Sequence, residues 1–163
     1  MGEPSGVWVE QLSRNEVFGL IQGRLVAYID GACRGNPGHA ALAVVIRDGD
    51  ETLVEKASYL GFATNNVAEY SAMIEALSEM RRLGARQIEV RSDSELLVRQ
   101  INGEYRVKAD GLRSLYINAV RMLHDFDDFR VLHIPRGENK RADLLANRAL
   151  DEAIAATIPD VPR

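Results

Sequence analysis

The hydrophobic pattern of this chain changes its period near residue 64, and this change is the strongest constraint on the fold. Before it, three β-rich runs follow one another with turn residues between them: RLVAYI (24–29), ALAVVIRD (41–48) and TLVEKASYLG (52–61). The first run is expected to stop at Asp30, with a turn-rich loop over 31–38. Gly49 and Asp50 predict a hairpin between the second and third runs. After residue 64, apolar residues recur at steps of three and four as far as Gly84, which predicts a helix with a glycine at its C-terminus.

Strands and helices alternate in the rest of the chain. Further strands are predicted at 87–92 and 130–134, and further helices end near Ile101, span about 111–125 and span about 139–156. Three antiparallel strands followed by alternating helices and strands predict an α/β fold. Its core is a mixed five-stranded sheet with helices on both faces.

The domain is predicted to cover residues 24–157. Residues 1–23 form an N-terminal extension of unknown role, in which a capping box from Ser13 to Glu16 leaves a short helix and an extra strand as alternatives. The tail at 158–163 contains two prolines that prevent helix continuation, so we expect it to fray.

Composition narrows the class of protein. Hydrophobic residues make up 46% and charged residues 27% of the 163 positions, which is ordinary for one globular domain. We find no apolar stretch that would predict a membrane span, and the single Cys33 cannot form an internal disulfide, so we expect a cytoplasmic monomer. The formal net charge of −4 excludes nucleic-acid binding through overall basicity, which leaves local basic patches or metal ions.

Four acids occupy positions where an apolar or neutral residue is expected. Asp30 follows the most hydrophobic run, and Asp93 follows the next predicted parallel strand, where α/β folds bind ligands. Glu69 precedes Met73 by four residues and therefore shares the core-facing side of its helix. Asp143 leads the apolar stripe of the last helix in the same way.

For any one of these acids alone, a structural role as a helix cap or as a partner of a helix dipole is the favoured interpretation. Four carboxylates in one site would repel one another unless a cation lay among them. Hard ions such as Mg²⁺ or Mn²⁺ suit oxygen ligands. Two such ions about 3.5–4 Å apart are the usual arrangement for phosphodiester displacement. The acids therefore indicate phosphoryl-transfer chemistry.

The segments around the four acids resemble those of type 1 ribonucleases H. They are YIDGACRGNPG (28–38), TNNVAEY (64–70), RSDSELLVRQING (91–103) and GENKRADLLANRA (137–149), and they occur in the family's order over residues 24–153. The resemblance implies a ribonuclease H-like fold. It also implies a sequence-independent endonuclease that uses two Mg²⁺ ions, with Mn²⁺ as a substitute. Such an enzyme cuts the RNA strand of RNA–DNA hybrids and leaves 5′-phosphate and 3′-hydroxyl ends.

The resemblance also assigns roles to individual residues. The catalytic, metal-binding acids would be Asp30, Glu69, Asp93 and Asp143. Polar contacts to the hybrid would come from Asn36, Asn65 and Asn66 along the minor groove and from Thr64 at a phosphate of the DNA strand. Turn formation and helix capping are the structural alternatives for the asparagines, and both uses are compatible.

This chain departs from the family pattern at three places. Many members carry a histidine in the loop before the last helix, but here the loop reads IPRGENK, and Arg136 is the nearest substitute. Arginine stays protonated, so Arg136 could neutralise a leaving phosphate but could not act as a base. The segment at 105–116 is too short for the basic protrusion of some members, and Glu95 stands where some carry glutamine.

Two other classes of function remain open. Another nuclease of the same fold, such as a 3′–5′ exonuclease or a Holliday-junction resolvase, would also use acidic metal sites. A hybrid-binding module without catalysis is the second alternative. Cys33 is interpreted as a small residue in a tight turn, and no metal-ligand spacing relates the three histidines, which we interpret as structural or solvent-facing: His39, His124 and His133.

Overall fold

The computed structural model describes residues 21 and 23–158 together with the backbone of 7–10. This part of the chain forms one sheet, with strand order β1-β4-β3-β2-β5-β6, and four helices. The strands are β1 (Val7–Glu10), β2 (Leu25–Gly35), β3 (Gly38–Asp48), β4 (Glu51–Ala63), β5 (Gln87–Ser92) and β6 (Asp128–His133). The helices are α1 (Asn65–Arg82), α2 (Glu95–Ile101), α3 (Asp110–Leu123) and α4 (Lys140–Thr157).

The pairing of the strands confirms the predicted mixed sheet. β2, β3 and β4 form consecutive antiparallel pairs, whereas β5 and β6 add to β2 in parallel. β1 is a sixth strand, antiparallel to β4, so residues 7–10 adopt the extra strand that was one of the two alternatives for the extension. The capping box from Ser13 to Glu16 and the tail beyond residue 158 lie outside the described residues.

Strand β2 is longer than its sequence predicted. We expected the strand to stop at Asp30 and a loop to fill 31–38, and this was wrong: β2 pairs with β3 as far as Gly35↔Gly38. Only the parallel ladder to β5 ends here, at Ile29↔Ser92. The turn residues therefore mark only the two-residue connection between β2 and β3, at 36–37. Asp30 lies inside a strand that has lost one of its two neighbours.

The two faces of the sheet are covered by different helices, as predicted. α1 packs on one face and α3 packs against α1, which buries side chains such as Ile29, Met73 and Leu77. α4 covers β2, β3 and β4 on the other face, with Val45 and Leu150 in its core. Within the described residues, none of the helices has the length and hydropathy needed to cross a bilayer.

Helix α1 approaches β2 very closely. A Cβ atom placed on Gly31 would lie 2.6 Å from the backbone nitrogen of Glu69, so a side chain at this position would collide with the helix. Thr64 caps the helix N-terminus. Gly84 follows the C-terminus with a φ of 80°, which confirms the glycine predicted there. The contact at Gly31 brings the second turn of α1 beside Asp30.

Candidate metal centre

Three of the four predicted acids come together at the end of the β2–β5 ladder. Ligand oxygens of Asp30, Glu69 and Asp93 all lie within 4.8 Å of one another. Asp30 and Glu69 are almost fully buried, at 4% and 5% exposure. Such burial is rare for carboxylates unless they are paired or bind a metal.

Each of these acids comes from a different element. Asp30 pairs with Ala43, which lies in the core beneath α4, so the Asp30 side chain is on that face of the sheet. Glu69 comes from α1 on the opposite face, and its backbone lies against β2 where Gly31 has no side chain. Asp93 joins β5 to α2, in a turn where the Ser92 hydroxyl accepts a hydrogen bond from the Ser94 backbone nitrogen at 3.0 Å.

The fourth acid, Asp143, lies at the rim of the cluster. It belongs to the first turn of α4, and its side chain is 36% exposed. It does not belong to the group of oxygens within 4.8 Å, but it lies near enough to Asp30 to raise the pKa of that acid.

The electrostatics of the cluster favour a bound cation. Burial, together with the nearby charges of Asp93 and Asp143, raises the pKa of Asp30 to about 8. Burial, followed by the charges of Asp30 and Asp93, also raises the pKa of Glu69 well above its usual range. Glu69 Oε2 is buried and has no hydrogen-bond partner among the described residues. An unpartnered buried oxygen among carboxylates fits a hard cation such as Mg²⁺, which would stabilise the ionised acids.

The acids open into a cavity of about 380 Å³. Its lining also includes Arg34, Asn65, Arg136 and Asn147. The Arg136 side chain is 83% exposed, and its Nη2 lies 4.0 Å from Oδ1 of Asp143. Arg136 therefore lies at the rim of this cavity, beside Asp143.

The predicted substrate-contacting residues lie in two regions, the start of α1 and a neighbouring groove. The Asn65 backbone nitrogen donates a hydrogen bond to Asn36 Oδ1 at 3.0 Å, so the β2–β3 turn meets the start of α1. The Thr64 hydroxyl accepts a hydrogen bond from the Val67 backbone nitrogen at 3.2 Å. Asn66 lines a neighbouring groove instead. Asn36 and Thr64 therefore have structural roles, and Asn65 is the one of the four that lines the acidic cavity.

Cys33 and the histidines have structural surroundings. Cys33 lies in β2 and not in a tight turn, which corrects our interpretation, and its thiol donates to the carbonyl oxygens of Gly35 and Ala63. His39 Nδ1 lies 2.6 Å from the Tyr59 hydroxyl. His124 packs edge-on against Phe129, and His133 ends β6. Among the described residues that line the acidic cavity there is no histidine.

Sequence reasoning missed two asparagines that contact the acids. Asn139 is buried, and its backbone oxygen accepts a hydrogen bond from the Asp143 nitrogen at 3.0 Å. Asn147 Nδ2 donates to Oδ1 of Asp143 at 3.1 Å. The available signal was their spacing, because both lie four residues from Asp143 and therefore beside it along the start of α4.

The chain matches known protein families over most of its length. Residues 28–149 match a family described as Reverse transcriptase-like. A ribonuclease HI of Halobacterium salinarum is 46% identical over 132 residues, which cover 80% of this chain and 66% of that protein. A bifunctional protein of Mycobacterium tuberculosis, Rv2228c, is 38% identical over 139 residues, which cover 84% of this chain. The matched region spans only 38% of the mycobacterial protein.

Solved structures share the fold along nearly their whole length. The crystal structure of RNase H1 from Halobacterium salinarum superposes with a TM-score of 0.77 at 45% identity and covers 80% of this chain and 99% of that one. LC11-RNase H1, solved in complex with an RNA/DNA hybrid, gives a TM-score of 0.76 at 42% identity with the same two coverages. The chain therefore belongs to the Reverse transcriptase-like family and is a member of the type 1 ribonucleases H.

Proposed function

We propose that this protein is an endonuclease that hydrolyses the RNA strand of RNA–DNA hybrids, independently of sequence, and leaves 5′-phosphate and 3′-hydroxyl ends. The observation that carries the proposal is the cluster of Asp30, Glu69 and Asp93, whose oxygens lie within 4.8 Å of one another in an open cavity. The hybrid-bound relative supports the choice of substrate. We further propose that the protein acts as a cytoplasmic monomer.

The site fits Mg²⁺, and Mn²⁺ as a substitute. Asp30, Glu69 and Asp93 would hold one ion, and Asp30 with Asp143 would hold a second, since Asp143 lies near enough to raise the pKa of Asp30. When bound, two such ions supply an activated water and stabilise the departing 3′-oxygen of a phosphodiester. The remaining contributions come from the protein's own side chains.

Arg136 is proposed to neutralise charge on the scissile phosphate or on the phosphate product as it departs. It is exposed, lies beside Asp143 and lines the same cavity, so a phosphate over the acids would come within its reach. Its guanidinium donates hydrogen bonds in pairs to phosphate oxygens but cannot remove a proton at neutral pH. Arg136 would therefore replace the electrostatic part of a loop histidine and not its acid–base part.

Recognition of RNA is proposed to rest on polar groups beside the acids. Asn36 uses its carbonyl oxygen to bind the Asn65 backbone, which leaves its amide nitrogen for the sugar or base edges of the hybrid. Asn65 and Asn66 would add further contacts in the minor groove, and Thr64 would hold a phosphate of the DNA strand. The 2′-hydroxyl distinguishes RNA from DNA, and amide groups recognise it by hydrogen bonding.

The deciding experiment uses an end-blocked, internally labelled RNA–DNA hybrid, with and without Mg²⁺. We expect internal cuts confined to the RNA strand, and no cleavage of single-stranded RNA or duplex DNA. Degradation that requires a free end would identify an exonuclease instead. Cleavage of a four-way DNA junction but not of the hybrid would identify a resolvase. Hybrid binding without turnover would identify a binding module.

A further inference from the structure

A chain of polar side chains leads from the surface to Asp143 on one side of the acidic cavity. The guanidinium of Arg34 donates to Asp151 Oδ1 at 2.9 Å and to Asn147 Oδ1 at 2.8 Å. Asn147 Nδ2 in turn donates to Asp143 Oδ1 at 3.1 Å and to the Asp143 backbone oxygen at 2.9 Å. The outermost pair, Arg34 with Asp151, is exposed and contributes little to stability by itself.

Arg34 reinforces the orientation in which the nitrogen of the Asn147 amide faces Asp143. A guanidinium has only hydrogen-bond donors, so the amide must present its oxygen to Arg34. The amide nitrogen is then directed at the carboxylate of Asp143, which accepts.

The same contacts join the two elements that carry Asp30 and Asp143. Arg34 belongs to β2, four residues after Asp30, whereas Asn147 lies one helical turn after Asp143 in α4. Both Arg34 and Asn147 line the acidic cavity. A hydrogen-bonded link between strand and helix at this position limits how far the helix start can move relative to the buried acid.

Asp143 needs such support more than Asp30 and Glu69 do. Asp30 and Glu69 are held by burial, whereas Asp143 is 36% exposed at the rim of the cluster. An exposed carboxylate at a helix start samples several rotamers, and ordering it on metal binding costs conformational entropy. A hydrogen bond from Asn147 to Oδ1 restricts these rotamers and leaves the second oxygen available.

We propose that Asn147, oriented by Arg34, is a positioning residue that holds the Asp143 carboxylate ready to bind a metal ion. The proposal rests on the metal centre of the proposed function. Residues that orient metal ligands typically change metal affinity or activity by about 10–100-fold when they are removed. The effect should therefore appear in metal binding as well as in the rate.

The test compares Asn147→Ala and Arg34→Ala with Arg148→Ala, an exposed control on α4 that removes a cation, as Arg34→Ala does. Binding of Mg²⁺ is measured by calorimetry on the protein alone, and the Mg²⁺ concentration for half-maximal hybrid cleavage is measured in parallel. We expect Asn147→Ala to weaken Mg²⁺ binding about tenfold or more and to raise the half-maximal concentration by a similar factor. Arg148→Ala should leave both within twofold of the unmodified protein.

Arg34→Ala should weaken Mg²⁺ binding and raise the half-maximal concentration in the same direction but by a smaller factor. Arg34→Lys should recover part of this loss, because an ammonium group still donates to the Asn147 oxygen. The double variant should be no worse than Asn147→Ala alone, since both changes break one chain of contacts. Mg²⁺ binding and half-maximal concentrations of Asn147→Ala within twofold of the unmodified protein would overturn the proposal. A lower melting temperature with an unchanged Mg²⁺ titration would also overturn it. Failure of the unmodified protein to cleave the hybrid would instead refute the proposed function.

Discussion

The side-chain nitrogen of Asn139 donates a hydrogen bond to the backbone oxygen of Ile29 at 2.8 Å. Ile29 precedes Asp30 and is the last residue of β2 that pairs with β5. Asn139 also accepts a hydrogen bond from the backbone of Asp143. One buried residue thus connects the backbone next to the first acid with the backbone of the fourth.

We predict that Asn139→Ala destabilises the protein. The change leaves the Ile29 oxygen without this donor in a buried site, which costs about 1–3 kcal/mol. Each kcal/mol corresponds to roughly 2–4 °C in melting temperature for a domain of this size. Thermal unfolding followed by circular dichroism measures the shift. Lys140→Ala, an exposed neighbour, serves as the control and should melt within about 2 °C of the unmodified protein, since surface changes rarely exceed about 0.5 kcal/mol.

The metal-free protein should lose stability as the pH rises from about 4 toward 8. The pKa of Asp30 rises from 3.8 to about 8 on folding, so the folded state binds more protons than the unfolded state within this window. Stability falls with pH wherever the folded state binds the extra proton. The raised pKa of Glu69 acts in the same direction. Melting curves in chelator at pH 5 and pH 8 test this expectation.

Asp30→Asn provides the matched variant for that measurement. It cannot ionise, so the difference in melting temperature between pH 5 and pH 8 should shrink, and the variant should be at least as stable as the unmodified protein at pH 8. Adding Mg²⁺ at pH 8 should stabilise the unmodified protein much more than the variant. An identical pH dependence in both proteins would show that Asp30 is not the group that titrates.

Substitution of the four acids should rank them by their place in the site. Asp30→Asn, Glu69→Gln and Asp93→Asn should abolish hybrid cleavage while the fold is kept, because these three share the inner cluster. Asp143→Asn should lose less, roughly 10–100-fold, because this acid lies at the exposed rim where water can replace part of its coordination. Single-turnover rates with circular dichroism as the folding control decide the order. Equal losses at all four positions would contradict it.

The sequence predicted the inner acids better than it predicted their supports. Asp30 and Glu69 stood out because an acid interrupts an apolar pattern, and burial of both is what the pattern requires. The part of β2 beyond Asp30 was missed, because its small residues and turn residues do not give a strand pattern. This part is a strand because it pairs with β3. Asn139 and Asn147 were missed for a related reason. Their partners, Ile29 and Arg34, are more than a hundred residues distant along the chain, and no local pattern reports such contacts.

Binding to hybrids should be weak and sensitive to salt. The net charge is −4, and the short segment before and within α3 carries Arg106, Lys108 and Arg113. Within the described residues none of these three forms a salt bridge, and Arg106 and Lys108 line the groove that contains Asn66. Each phosphate contact removed should flatten the slope of log Kobs against log salt by roughly 0.9.

Fluorescence anisotropy over a salt series, with Arg106→Ala and Lys108→Ala, measures these slopes. Arg86→Ala serves as a control, because its guanidinium pairs with Asp127 away from this groove. A complex that stays tight at high salt, with slopes that neither variant changes, would place the main contacts elsewhere on the protein.

The dependence of the cleavage rate on pH should reflect the absence of a histidine in the loop before α4. A histidine titrating near its usual pKa would produce a limb of the rate profile close to neutrality. Among the described residues that line the cavity there is no histidine, so we expect cleavage at saturating Mg²⁺ to keep rising into alkaline pH. If His39, His124 or His133 carried the proton step, replacing that residue would lower the rate more than Arg136→Ala does.

Arg136→Ala should lower kcat by about 10–100-fold, as expected for the loss of one charge-assisted contact to a developing charge. The melting temperature should stay unchanged, because the side chain is 83% exposed and its one ion partner among the described residues, Asp143, lies 4.0 Å away. Arg136→Lys should recover part of kcat, since the charge remains although the planar fork is lost. Lys140→Ala controls for removal of a nearby cation. If KM rose while kcat was unchanged, Arg136 would bind the hybrid equally before and during the reaction, and its assignment to the departing phosphate would be wrong.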